Sequence, residues 1–201
     1  MRKIISVVLI LSNVIMFSGC ATYRVLPSLS TDYQDWKNKQ SQENVIVAVR
    51  FLDKEEIGYL FQRAMYKFNV YPAFLVIDNQ TGDTYEFERN MIKTPQHRPS
   101  EVSDFCESSG FRRAGIFALL YLVFFPVLVL AIPAGLNASS VNTRMRKDYS
   151  AKEIDFKDIG PYSKRSGFIY LTRTDNNGQL EFMLRNKNTQ KDINFMFTES
   201  K

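Results

Sequence analysis

Residues 167–197, GFIYLTRTDNNGQLEFMLRNKNTQKDINFMF, read as three strands and two turns. The runs GFIYLTRT, QLEFML and INFMF carry β-branched and aromatic residues, and the segments between them, DNNG (175–178) and RNKNTQ (185–190), have the chemistry of tight turns. Phe168, Tyr170, Phe182, Phe195 and Phe197 fall on these strands, as the interior between two sheets requires. Strands joined so tightly pair antiparallel.

Upstream the same grammar returns. NVIVAVRFL (44–52) and Ala73–Ile77 read as strands and NQTG (79–82) as a turn. Thr84–Glu88 reads as a returning strand with Tyr85 and Phe87 on one face. Between the first two, Asp53 and Glu56 have capping-box spacing. Behind them Ile57, Leu60, Phe61, Ala64, Met65 and Phe68 recur at helical spacing, opposite Lys54, Glu55, Gln62, Arg63 and Lys67. Residues 93–101, with Pro95 and Pro99, read as a loop. The expected fold is mainly β with an α insertion: an antiparallel β-sandwich, the immunoglobulin-like arrangement being one form of it.

The insertion is AGIFALLYLVFFPVLVLAIPAGL, Ala114–Leu136, uncharged, with the Tyr121 hydroxyl as its one polar side-chain group. It is long enough to span a bilayer. A single crossing would put the last strands in a different compartment from the first, and two or three strands alone are marginal. Pro126, near the middle, offers a bend. The favoured reading is therefore a hydrophobic helical hairpin with arms over roughly 112–125 and 127–147 and an apolar tip on a membrane. Its membrane-contacting residues are Ile116, Phe117, Leu120, Tyr121, Phe124, Phe125, Val127 and Leu130. Arg112, Arg113, Arg144, Arg146 and Lys147 are the basic feet that contact headgroups. A true crossing, and burial against a protein partner or other copies of the chain, are the competing readings.

The N-terminus begins with Arg2 and Lys3, continues as a short apolar run to Phe17, and ends in small residues, the layout of a secretory signal. Phe17-Ser18-Gly19-Cys20 resembles the lipobox of bacterial lipoproteins, although Phe17 stands where Leu is commonest. The resemblance implies that the Cys20 thiol takes a diacylglycerol, that the chain is cut before Cys20, and that the new amino group is acylated. Several acyl chains at roughly 0.8 kcal/mol per buried methylene make such an anchor permanent. Ala21, where Asp would imply inner-membrane retention, favours the outer membrane by the same resemblance. The implied location is the bacterial envelope, facing the periplasm, with the inner membrane as the alternative if residues 114–136 span. The whole layout is similar to that of envelope lipoproteins with an apolar helical insertion.

The boundaries follow: 1–19 signal, 20–43 lipidated N-terminus and polar tether, 44–100 first part of the sandwich, 101–149 insertion, 150–201 second part. Trp36 and Tyr33, within the tether, are candidates to dock on the domain or the bilayer. The net charge of +5 is spread among acidic residues, without the one-faced basic stripe of a nucleic-acid binder, and export removes such a partner.

Catalytic constellations are not found. His97, the one histidine, reads as a solvated loop residue, and no His/Cys cluster has metal spacing. DNNG lacks the later Glu of a calcium loop. Glu153 and Asp155 are paired acids only by proximity, and Ser150 with Glu153 fits another helix start. Cys106, beside Phe105, reads as a buried small apolar residue. No cofactor and no enzyme activity is expected. The expected function is a structural or protein-interaction role in the envelope, with lipid or hydrophobic-ligand handling as the alternative.

Overall fold

The structure, a computed structural model, describes residues 23–107, 128–173 and 178–199, with backbone alone for 128–139. Two compact units divide the chain. One comprises Val25–Cys106 and Arg146–Lys201; the other comprises Met1–Arg24 and Glu107–Met145.

The first unit is mainly antiparallel β, in two sheets. Its strands are β1 (Lys39–Gln42), β2 (Val45–Phe51), β3 (Val70–Asn79), β4 (Tyr85–Glu86), β5 (Gln96–His97), β6 (Lys164–Thr172), β7 (Gln179–Asn186) and β8 (Asp192–Thr198). The larger sheet has the order β1-β2-β3-β6-β5 and the smaller the order β4-β7-β8. This division of five and three differs from the four and three of an immunoglobulin constant-type sandwich.

Burial along each strand shows its place. In β8 buried and exposed residues alternate, and in β7 buried and partly buried ones, so one face of the small sheet meets water. β3 is buried almost throughout, because it is covered on both faces. One of those faces supplies Ala73, Leu75 and Ile77, which join Val45, Val47 and Val49 of β2 and Leu180, Phe182, Leu184, Ile193 and Phe195 of the small sheet in a common core. The opposite face carries Phe74 and Phe168, cross-strand partners with ring centroids 4.8 Å apart. Onto them pack Trp36, at 6.0 Å from Phe74, and Phe61, at 5.1 Å from Phe168. Helices thus cover one face of the large sheet and the small sheet covers the other.

Three α-helices and two short 3₁₀ turns, Met65–Phe68 and Arg89–Met91, complete the described elements; the α-helices are α1 (Lys54–Phe61), α2 (Pro99–Cys106) and α3 (Leu128–Lys152). The expected capping box is formed: the Asp53 carboxylate accepts from the Glu55 and Glu56 amides, and Glu56 reaches back to the Asp53 amide. The apolar stripe does not continue as one helix to Phe68, however. Gln62 adopts a left-handed conformation with φ of 52°, which ends α1, and the chain resumes as a short 3₁₀ turn at Met65–Phe68. Met65 is buried, while Phe68 is left 47% exposed.

Four further local readings are corrected. Thr84–Glu88 does not fold back on β3, since β2 and β6 already occupy both edges of β3; β4 pairs with β7 instead. The tether is part of the fold before residue 43. Tyr33 is buried and donates to Asp78 at 2.5 Å, and β1 pairs with β2. The loop at 93–101 contains β5 and the start of α2. Ser150 belongs to the last turns of α3, so its spacing to Glu153 marks a helix end.

Beyond α3 the chain runs against β6. The Ile154 amide donates to the Phe168 carbonyl at 3.0 Å. Gly167 makes this approach possible, because a Cβ there would stand closer than 3.0 Å to the backbone of Glu153 and Ile154.

Candidate functional site

Cys20, Arg112, Arg113, Ile116, Phe117, Leu120, Tyr121, Phe124, Phe125 and Val127 lie outside the described residues, as does the first expected hairpin arm. Leu130 falls on the backbone of α3, which begins and runs close to the second expected arm but continues to Lys152. Among the described residues no helix is long and apolar enough to cross a membrane. Arg144, Arg146 and Lys147 are exposed on α3.

The structure does settle where the two flanks of the apolar segment stand within the β unit. α2, which leads into it, and the last turns of α3, which lead out of it, are side by side: Arg146 Nη2 lies 2.8 Å from Asp104 Oδ1. Behind this surface pair the packing is dense. Tyr149 is fully buried, edge-on to Phe61 at 5.5 Å, and its carbonyl accepts from the Tyr170 hydroxyl at 2.9 Å. Lys152 and Asp148 form a buried ion pair at 2.6 Å, and Lys152 also donates to the Leu60 carbonyl at 3.1 Å. Cys106 is buried, and loss of solvent pushes its thiol up to about 11 against the opposing effects of Tyr149 and Arg63. A thiol held protonated in this way is inert, in keeping with a packing role.

Next to this packed base lies an exposed aromatic platform. Phe105, 41% exposed on α2, stacks on Phe68, 47% exposed, with centroids 6.1 Å apart and planes 19° from parallel. His97 closes the other side, edge-on to Phe105 at 5.4 Å. It is a half-buried residue of β5, not a solvated loop histidine. Its Nε2 shares a hydrogen bond of 3.0 Å with Thr172 Oγ1, and its Nδ1 is 3.5 Å from Glu101. Sequence spacing places Phe68 on a buried stripe, and the sequence also carries a helix-start signal for α2 within the stretch expected as a loop. Pro99 at the first helical position and Glu101 at the third, accepting from the Arg98 amide at 3.0 Å, are helix-start features.

The acids do not assemble into a catalytic pair. Glu153 is bound by Arg89, and burial raises its pKa despite that cation. Asp155 is held by Lys157 and Arg165 at 2.9 and 3.0 Å, and its pKa is lowered, first by the hydrogen bond from Lys157. No metal-binding group of three His, Cys, Asp or Glu occurs among the described residues. A cleft of about 230 Å³ opens at the strand ends between Phe51, Tyr71, Lys93, Arg173, Glu181 and Glu199. Its charges are matched internally, Lys93 with Glu181 at 2.6 Å and Arg173 with Glu199 at 3.0 Å, and the Arg173 guanidinium lies over Tyr71. Such a cleft presents no uncompensated charge from these pairs to an ionic ligand.

No family model, no curated protein and no solved structure matches the chain. The geometry therefore defines only a broad class: a two-sheet antiparallel β unit with an uncharged segment inserted between two paired strands.

Proposed function

We propose that the protein is a lipid-anchored component of the bacterial envelope with a structural or protein-interaction role. In this reading Cys20 carries the lipid anchor, and the apolar insertion holds the β unit to a membrane as a re-entrant hairpin. The observation that supports the hairpin, as against a single crossing, is the pairing of β3 with β6 from Val70↔Thr172 to Asp78↔Lys164. Strands from either side of Ala114–Leu136 share one sheet, so both flanks belong in one compartment, and Asp104 and Arg146 meet where the two flanks leave the β unit. A single crossing would require that sheet to be divided by the bilayer, with the loss of every β3–β6 hydrogen bond.

The test has two arms in a bacterial host. Cys20→Ser should abolish labelling by radioactive palmitate and leave an unprocessed precursor. Reporters fused after Lys201, one active only outside the cytoplasm and one only inside it, should report the outside. Undiminished labelling of Cys20→Ser removes the anchor from the proposal, and a cytoplasmic signal from the fusion removes the hairpin.

A further inference from the structure

We propose that the Phe68–Phe105 platform is the surface of the β unit that lies on the lipid bilayer. The proposal rests on the membrane reading of the insertion and adds to it the face by which the folded unit sits down. Two half-exposed phenyl rings stacked on each other form an apolar surface that water does not favour. The platform is placed where the chain departs: Phe105 precedes Cys106, the last residue of α2, and Asp104 beside it holds Arg146 on the returning helix.

The surroundings suit an interface between headgroups and acyl chains. Lys67 is exposed next to Phe68, and Arg146 and Lys147 are exposed on α3. α2 also carries two acids, Asp104, paired with Arg146, and Glu101, beside His97, so charge attraction is partly offset and the rings supply the seat. A bilayer matches this occupant better than a second copy does. The same face carries both flanks of an uncharged segment long enough to reach through hydrocarbon, with Arg112 and Arg113 at its entry.

The full chain with Cys20→Ser, exported behind a cleavable signal so that no lipid anchor holds it and reconstituted in vesicles of phosphatidylethanolamine and phosphatidylglycerol with bromine on the acyl chains, provides the test. Trp36, the one tryptophan, is replaced by Phe, and a single reporter is introduced by Phe105→Trp or, as an independent probe, Phe68→Trp. Met196→Trp is the control, since Met196 is 52% exposed on the small sheet, away from the helical layer. Bromine should quench a tryptophan at 105 or 68 about threefold more than one at 196, as expected for interfacial aromatic depth. Co-flotation with vesicles but equal quenching at all three positions would overturn the platform and leave the insertion's membrane role standing. Failure to co-float would overturn both. Shielding from an aqueous quencher without bromine quenching would also overturn it, by showing protein on that face.

Discussion

Lys152 keeps only 5% of its side chain exposed, and its position is tolerable because every direction is answered. Asp148 supplies the counter-charge, the Leu60 carbonyl accepts a hydrogen bond, and the Phe61 ring lies 5.2 Å from the ammonium. Removing one partner strands the other. Lys152→Met should lower unfolding stability by about 3–5 kcal/mol, whereas Lys152→Met combined with Asp148→Leu should recover most of that loss. Chemical denaturation of the full chain measures both, and equal losses in the single and double variants would contradict the coupling. Tyr33 gives a pH-dependent case. Burial first, then the hydrogen bond to Asp78, pushes its phenol up to about 12 from an ordinary 10. The fold thus favours the protonated phenol; its contribution is complete below pH 10 and is lost as pH rises through about 12. Tyr33→Phe should show a smaller fall in the denaturation midpoint over that interval, and an unchanged fall would show that Tyr33 is not linked to folding.

Among the elements, β1 has the most consequence for its size. It is only Lys39–Gln42, yet it covers the edge of β2, whose Val and Ile residues would otherwise stand at a sheet margin. Gln40 and Gln42 extend beyond it and donate to the Met196 and Asn194 carbonyls of β8 at 2.5 and 2.6 Å, tying the two sheets together at that edge. Trp36, just before β1, shields Phe74. A chain that begins at Asn44 should therefore unfold at a lower temperature and aggregate with a rise in thioflavin fluorescence. The same thermal midpoint as the full chain would show that residues 23–43 are the simple tether their polarity suggests. Polarity misleads here because an edge strand needs backbone pairing more than apolar side chains, and KQSQ supplies that pairing while facing water.

At the level of the whole molecule, the apolar segment is a detour between strands that already belong together. Among the described residues, the common core is built from β2, β3, β6, β7 and β8 with Tyr85, Phe87, Ile92, Ile154 and Ile159, and β3 and β6, one on either side of the segment, pair directly. Replacing 114–136 by a short Gly/Ser linker should preserve the β unit, since loop closure entropy changes slowly with length. Made in a Cys20→Ser background behind a cleavable export signal, that form should be recovered in the soluble periplasmic fraction with a cooperative thermal transition. A form that fails to fold would show that the insertion supplies part of the core.

The sequence alone determined the local grammar: the capping box at Asp53, the strands at 44–52, 73–77 and 179–197, and the inward side of Tyr85, Phe87, Phe182 and Phe195, all signalled within a few residues. Of the proposed platform, the sequence shows the charge of Arg146 and Lys147 and the apolar character of Phe68 and Phe105, but not that either ring is exposed. Tertiary structure decided which strands became neighbours. It sent β4 to the second sheet because β3 had no free edge, ended α1 at a left-handed Gln62, and brought Asp104 to Arg146 across the insertion. Periodicity reports which side of an element is apolar, but not which partner covers it; that is settled by competition for edges and faces among residues far apart in the chain.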